Sequence, residues 1–188
     1  HAPSQQQYCP GAHKHRIGRK IMKITDLKKQ LNSMEKNKLI ALVCKLYKAS
    51  KQAQSLIDVE LCGDTAEEQL ITECKKRIHA AFFGSRLSLK NARTVISDFK
   101  KVSQSKENIA ELMLFYVECG VEFTNMYGDI NEAFYYSIES MFADFVRVLN
   151  NLDSEAYYNR NADRIKEMCL STDCVGWGFP EEMMNIYY

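Results

Sequence analysis

Apolar residues recur at helical spacing along almost the whole chain, and this period constrains the fold more than any other feature. In the segment 89–102, for example, one side of a helical wheel collects Ala92, Val95, Ile96, Phe99 and Val102. No segment shows the alternation of a half-buried strand. Glycine occurs eight times and proline three times in 188 residues, so turn signals for short strands are few. We therefore predict an all-α fold, either a single compact bundle or a short stacked array of eight to nine helices.

Residues of capping type locate several helix ends in this pattern. Thr65 and Glu68 have the spacing of a capping box, in which Thr65 is the N-cap and Glu68 the third helical residue. Ser33, Ser88 and Asn131 each precede an apolar periodic segment. We predict that they cap the second, fifth and seventh helices.

Charge is divided along the chain, although the formal net charge of the whole is only +1. Residues 22–106 contain 17 basic and 9 acidic residues, whereas residues 107–188 contain 4 basic and 15 acidic residues. The net charges of +8 for residues 22–106 and −11 for residues 107–188 constrain which partners the protein binds and how they are oriented, rather than its fold. Head-to-tail self-association into a homo-oligomer is one interaction that it would support.

Residues 1–21 differ in composition from the rest of the chain. They contain two of the three prolines, three of the four histidines, four basic residues and no acidic residue, and they have no helical period. Met22 opens a well-patterned segment, and we interpret it as the natural start. We predict that residues 1–21 are a basic N-terminal leader or a tail added for expression, with a native basic arm as the alternative. Residues 22–188 are then predicted to form a single helical domain.

The fourth and fifth helices carry a dense set of basic side chains. On the wheel of the fifth helix these side chains lie opposite the apolar side. Such a face is suited to phosphate backbones, so a nucleic-acid partner bound through these two helices is one hypothesis. The alternative is the solvated face of a surface helix. The candidate basic surface comprises Lys75, Lys76, Arg77, Arg86, Lys90, Arg93, Lys100 and Lys101.

The sixth predicted helix, about residues 107–127, is apolar around most of its circumference, which is typical of a central helix. A narrow stripe of carboxylates on it is either the one hydrated side or the lining of a groove. Aromatic side chains mixed with Asn, Asp and Gly follow, and they indicate either a well-capped aromatic core or a pocket for a small ligand. The candidate pocket comprises Glu118, Glu122, Asn125, Tyr127, Asp129, Glu132 and Trp177.

The segment 174–180 is the least helical part of residues 22–188, and it contains the only tryptophan, between two glycines. Glycines at these positions allow close backbone approach or positive φ angles. We expect Trp177 and Phe179 to dock back on the helices as a plug. A recognition loop with an exposed Trp177 is the alternative.

Sequence motifs for catalysis and metal binding are missing. Residues 22–188 contain one histidine, His79, and no Glu-x-x-His pair of the di-iron bundles. There is no P-loop, no dinucleotide-binding glycine motif and no nucleophile elbow. Cys169 and Cys174 lack a second pair of ligands for zinc. We therefore predict no catalytic residue, no metal site and no cofactor, and the residues favour a protein that is not an enzyme.

Two further features concern location. The seven cysteines are odd in number, and several lie among Leu, Ile and Val in helical patterns, which is typical of reduced cysteine and predicts a cytoplasmic protein. The longest apolar run, residues 112–117, is far shorter than the ~20 residues of a membrane helix. We therefore expect a soluble protein without a membrane partner.

Four blocks carry a resemblance to a known family: Phe82–Lys90, Ala92–Lys101, Val121–Ile130 and Gly176–Phe179. Through them, residues 22–188 resemble a bacterial family that is described only as a domain of unknown function. The resemblance implies a bacterial cytoplasmic origin and brings no activity, cofactor or catalytic residue. The leading hypothesis is a non-catalytic helical interaction module that binds a protein or nucleic-acid partner. The alternatives are a small-ligand binder or enzyme that uses the carboxylates of 122–129, and a self-associating structural protein.

Overall fold

A computed structural model describes residues 22–152, 154–172 and 175–188. Within these ranges the chain forms nine helices and no strand, which confirms the all-α prediction. Residues 1–21, predicted to be a leader or an added tail, lie outside the described residues. Contacts divide the chain into two units between Cys44 and Lys45. The helices are α1 (Ile24–Asn32), α2 (Lys36–Ala49), α3 (Lys51–Cys62), α4 (Asp64–Phe83), α5 (Leu89–Phe99), α6 (Lys106–Tyr127), α7 (Glu132–Leu149), α8 (Glu155–Leu170) and α9 (Phe179–Tyr187).

Side-chain caps begin most of the helices in residues 45–188. The Ser88 hydroxyl accepts the Asn91 N–H, and the Asn131 side chain accepts the Phe134 N–H, so both predicted caps are confirmed. Ser50, Ser105 and Ser154 cap α3, α6 and α8 in the same way. Each cap satisfies one of the N–H groups that the first turn of a helix leaves without a backbone acceptor.

Two predicted caps are wrong. Ser33 ends α1, and α2 begins three residues later at Lys36. Thr65 lies inside the first turn of α4, whose N-cap is Gly63. Gly63 has a φ of +62° and reverses the chain directly after α3, so the helix starts before Thr65 can act as a cap. The acidic side chains of this first turn still suit the positive end of the helix dipole.

Helix α6 forms the centre of the packing in residues 45–188. It packs against α4, α5, α7 and α8, while α9 packs against α7 and α8. Ten of its residues are buried, on most sides of the helix. The aromatic core around it includes the ring of Phe82, whose centroid lies 5.1 Å from that of Tyr116 in an edge-on contact. Burial of this kind supplies most of the stability of a helical domain.

A glycine permits the close crossing of α6 and α7. A Cβ atom added to Gly120 would lie 2.3 Å from Cδ1 of Ile138 and 2.8 Å from its Cγ1. Ile138 is fully buried, and its branched side chain has one strongly preferred χ1 rotamer in a helix. It therefore has little freedom to move away.

We expect Gly120→Ala to lower the free energy of unfolding by about 1–2 kcal/mol, because overpacking outweighs the gain in helix propensity. Urea denaturation of the single variants and of Gly120→Ala/Ile138→Val checks this expectation. In the Ile138→Val background the alanine should cost at least about 0.5 kcal/mol less, as expected for contacting residues. Equal costs in the two backgrounds would show that the contact with Ile138 is not the cause.

Candidate interaction surface

The turn before α9 displays Trp177 between two anchored residues. Trp177 has a φ of +64°, and it is the one non-glycine residue with positive φ in the described part of the chain. A bulky side chain rarely adopts this conformation, which persists only where the surrounding structure imposes it. Gly178 follows in the left-handed region with a φ of +68° and begins α9.

The first anchor is the carboxylate of Asp129. Its Oδ1 accepts the N–H of Gly176 at 3.1 Å and the hydroxyl proton of Tyr135 at 3.1 Å. A Cβ atom at position 176 would lie 2.8 Å from Oδ2 of Asp129, so only glycine allows this approach without a shift. The link after α6 and the turn before α9 are thereby joined.

The second anchor is Phe179, which is fully buried with its ring centroid 4.9 Å from that of Tyr135. Tyr135 therefore holds both ends of the turn, one through its ring and the other through its hydroxyl. That hydroxyl also accepts the N–H of Ile130 at 3.2 Å and lies 2.8 Å from the hydroxyl of Thr124.

The structure corrects the expectation for Trp177. Phe179 docks into the core as expected, but 63% of Trp177 is exposed, so it does not form part of a plug. The reason is the backbone: with positive φ at residues 177 and 178, the chain enters α9 with Phe179 inward and Trp177 outward. The exposure of Trp177 agrees with the alternative expectation.

The elements around Trp177 are acidic. Residues 107–146 and 167–188, which include α6 after its first residue Lys106, most of α7 and all of α9, contain no Lys, Arg or His. Glu181 and Glu182 lie exposed in the first turn of α9. Burial and the nearby Glu182 carboxylate raise the pKa of Glu139 on α7, which indicates like charges close together. The glutamates of α9 and α7 therefore repel one another.

Carboxylates on the other side of α6 are already paired. Glu118 binds Arg164 of α8 through two hydrogen bonds of 2.5 and 2.7 Å. Glu111 accepts from Arg164 at 2.9 Å and from Lys75 of α4 at 2.5 Å. Burial would raise the pKa of Glu111, but these hydrogen bonds outweigh it and lower the pKa. Glu111 and Glu118 of the stripe thus join α6 to α4 and α8, whereas Glu122 is exposed.

The seven candidate pocket residues fall into separate environments. Glu118 belongs to the Arg164 network, whereas Asp129 and Trp177 are brought together through Gly176. Tyr127 is exposed at the end of α6, with its ring centroid 4.6 Å from that of Phe123. None of the seven lines either of the two clefts described below. The three that remain are exposed: Glu122, Asn125 and Glu132.

The candidate basic surface is partly engaged in the fold. Lys75 binds Glu111, and Arg93 donates to the Ser137 hydroxyl at 3.0 Å and to the Ser137 carbonyl at 2.7 Å. Lys101 pairs with Asp98 at 2.8 Å. A nucleic-acid hypothesis therefore depends mainly on the exposed remainder, which comprises Lys76, Arg77, Arg86, Lys90 and Lys100.

The larger of the two clefts lies between α3, α4 and α5 and has a volume of about 860 Å³. Its lining includes the apolar side chains of Cys74, Val95 and Phe99, with Asp58 and Arg77 among the polar residues. The smaller cleft, about 370 Å³, lies between α4 and α5. Both clefts lie on elements other than those that hold Trp177.

The remaining chemistry-bearing side chains show ordinary structural roles. Cys74, Cys119 and Cys169 are buried, and burial raises the pKa of each, to about 12 for Cys119. His79 is exposed near the end of α4, where its ring lies 4.7 Å from that of Phe83. Among the described residues, no three or more His, Cys, Asp or Glu side chains are placed to hold a metal ion. No helix in this part of the chain is long and apolar enough to cross a bilayer.

Sequence patterns did not indicate the two residues that organise these contacts. From the sequence, Tyr135 looks like one of several core aromatics of α7, and Arg164 looks like any of the four basic residues after position 107. The spacing of seven between Glu111 and Glu118 places both on one face of a helix, and this was the available signal for a shared cation.

The fold and this surface define a class: an all-α protein that presents an exposed tryptophan on an acidic face. Comparison with known families then identifies the chain. The model of a family of unknown function (DUF6155) matches residues 22–187, so the chain belongs to that family. The match confirms the resemblance to a domain of unknown function. No curated protein and no solved structure matches the chain.

Proposed function

We propose that this protein is a non-catalytic helical interaction module whose Trp177 surface binds a basic, apolar segment of a protein partner. By the Trp177 surface we mean Trp177 and the two glutamates of the first turn of α9, Glu181 and Glu182. The observation that carries the proposal is Trp177 itself, a large aromatic residue held outward in a strained conformation. Strain of this kind is costly, so it points to a role for the exposed side chain.

The chemistry of the surface supports a cationic, apolar partner. Tryptophan and tyrosine are the side chains most often found at the energetic centre of protein interfaces, because they bury a large area with few rotatable bonds. Glu181 and Glu182 follow Trp177 closely in the sequence, in the first turn of α9, and α9 contains no basic residue. Lysines that flank an apolar helix face on the partner would complement both features.

The two anchors of the turn support recognition rather than a chance exposure. Asp129 fixes Gly176, and the core fixes Phe179, so Trp177 is presented in a defined position. A residue that is ordered before binding loses less conformational entropy when the complex forms. In the free protein Trp177 is already ordered, so little further conformational entropy is lost there when the complex forms.

We expect Trp177→Gly to weaken binding of a labelled synthetic Lys/Leu amphipathic peptide at least tenfold, measured by fluorescence anisotropy. Glycine accepts a positive φ, so the free energy of unfolding should stay within about 1 kcal/mol of the wild type. Loss of binding would then not result from unfolding.

Leu61→Ala is the matched control for this experiment, since Leu61 is an exposed apolar residue on α3, outside the acidic elements. Its affinity for the peptide should equal that of the wild type. Equal binding by the wild type and by Trp177→Gly would remove the basis of the proposal.

A further inference from the structure

The first two helices leave apolar side chains exposed although their sequences are amphipathic. Ile24, Leu27 and Leu31 recur at helical spacing in α1, yet no residue of α1 or α2 is buried. Ile24 is 67% exposed and Ile40 of α2 is 51% exposed. An amphipathic helix normally derives its stability from burial of its apolar face, so these faces require a cover.

The same helices are basic. Residues 22–44 contain five lysines and two acidic residues. Lys28 and Lys29 of α1 are exposed, as are Lys36 and Lys38 of α2. This segment therefore combines the exposed apolar side chains and the positive charge that the Trp177 surface is suited to bind.

We infer that the Trp177 surface binds the basic, apolar segment of residues 22–44 of a second copy of this chain. The inference rests on the proposed function and names its partner. Charge complementarity favours the second copy over other cationic proteins, because one chain carries both halves of the contact on separate parts of its sequence. Such a contact joins different surfaces of the two copies, and it is therefore head-to-tail.

Sedimentation velocity of the full chain over a range of concentrations tests the inference. At low ionic strength we expect the average mass to rise with concentration. Raising the salt from about 0.01 M to about 1 M shortens the Debye length from about 30 Å to about 3 Å, so the dissociation constant should rise at least tenfold.

Two variants break the two halves of the contact separately. The first reverses the charge of Lys28, Lys29, Lys36 and Lys38 to glutamate, and the second is Trp177→Gly. Each variant alone should remain monomeric. An equimolar mixture should form a heterodimer, because each variant retains the half that the other has lost. A mixture that stays monomeric would overturn the inference.

A third variant controls for net charge. It replaces Lys76, Arg86, Lys90 and Lys100 by glutamate, which changes the net charge by the same amount on exposed residues of α4, α5 and the links that follow them. Association of this variant should equal that of the wild type. A loss as large as that of the first variant would show that association follows net charge and not the segment 22–44. Circular dichroism checks that every variant keeps its helical content.

The outcomes separate this inference from the proposed function. If the wild type is monomeric at every concentration but binds the Lys/Leu peptide through Trp177, the second-copy inference is wrong and the proposed function stands. If neither the peptide nor a second copy binds, both are wrong. Binding of the wild type to anionic phosphatidylserine vesicles, lost with the four lysine reversals while the chain stays monomeric, would assign the segment to a membrane surface instead.

Discussion

Replacing Arg164 by methionine is expected to lower the free energy of unfolding by about 3 kcal/mol. Methionine keeps much of the side-chain volume but leaves Glu118 without its cation and Glu111 with Lys75 alone. Breaking a buried ion pair costs about 3–5 kcal/mol, and the lower end applies because a third of the Arg164 side chain is exposed. Chemical denaturation of wild type and variant measures the difference.

Arg160 provides the matched control on the same helix. Its side chain is 67% exposed and lies 3.6 Å from Glu107, so Arg160→Met should cost at most about 1 kcal/mol. If the two methionine variants lose equal stability, the Arg164 network contributes no more than an ordinary surface pair.

Acid should act through the same network. Because hydrogen bonds lower the pKa of Glu111 in the folded state, its contribution to stability is present above the ordinary glutamate pKa of about 4.3. This contribution is lost as the pH falls from that value through the lowered folded-state pKa. We therefore expect the unfolding free energy of the wild type to drop steeply in this range and that of Arg164→Met to drop less. If the unfolding free energies of the wild type and Arg164→Met fell equally with pH, Glu111 would not be the acid-sensitive group of this network.

Tyr135→Phe is expected to lower the free energy of unfolding by about 2 kcal/mol. The ring still packs against Phe179, but the N–H of Ile130 loses its acceptor and Asp129 loses a donor. A partly buried donor without a partner costs about 1–3 kcal/mol. Tyr136→Phe is the control, since Tyr136 is exposed on the same helix, and its cost should be below about 0.5 kcal/mol.

The same variant links stability to recognition. Without the Tyr135 hydroxyl, Asp129 is held less firmly, so the Gly176 N–H should exchange with solvent faster than in the wild type. Binding of the Lys/Leu peptide should weaken as well, although Trp177 is unchanged. Wild-type exchange at Gly176 together with wild-type affinity would show that the turn does not depend on Tyr135.

The sequence predicted the helices well because the signals are local. Ser88 and Asn131 cap the helices that they were expected to cap, and the apolar surround of α6 correctly indicated a central position. Thr65 failed as a cap because Gly63 turns the chain one residue after α3 ends. The capping rule used for Thr65 looks only at the residues that follow the cap. The start of α4 was instead set by the turn at Gly63 after the preceding helix α3.

By itself, then, the sequence determined the all-α class, two of the four predicted helix caps, the division of charge and the family. These follow from spacing and composition within short stretches of chain. Only the tertiary structure decided that Glu118 faces Arg164 across 46 residues, that Gly120 meets Ile138, and that Trp177 points outward while Phe179 points inward. These contacts depend on which helices pack against each other and on the backbone angles of the turn at residues 177 and 178. Neither produces a pattern of repeated spacing in the sequence.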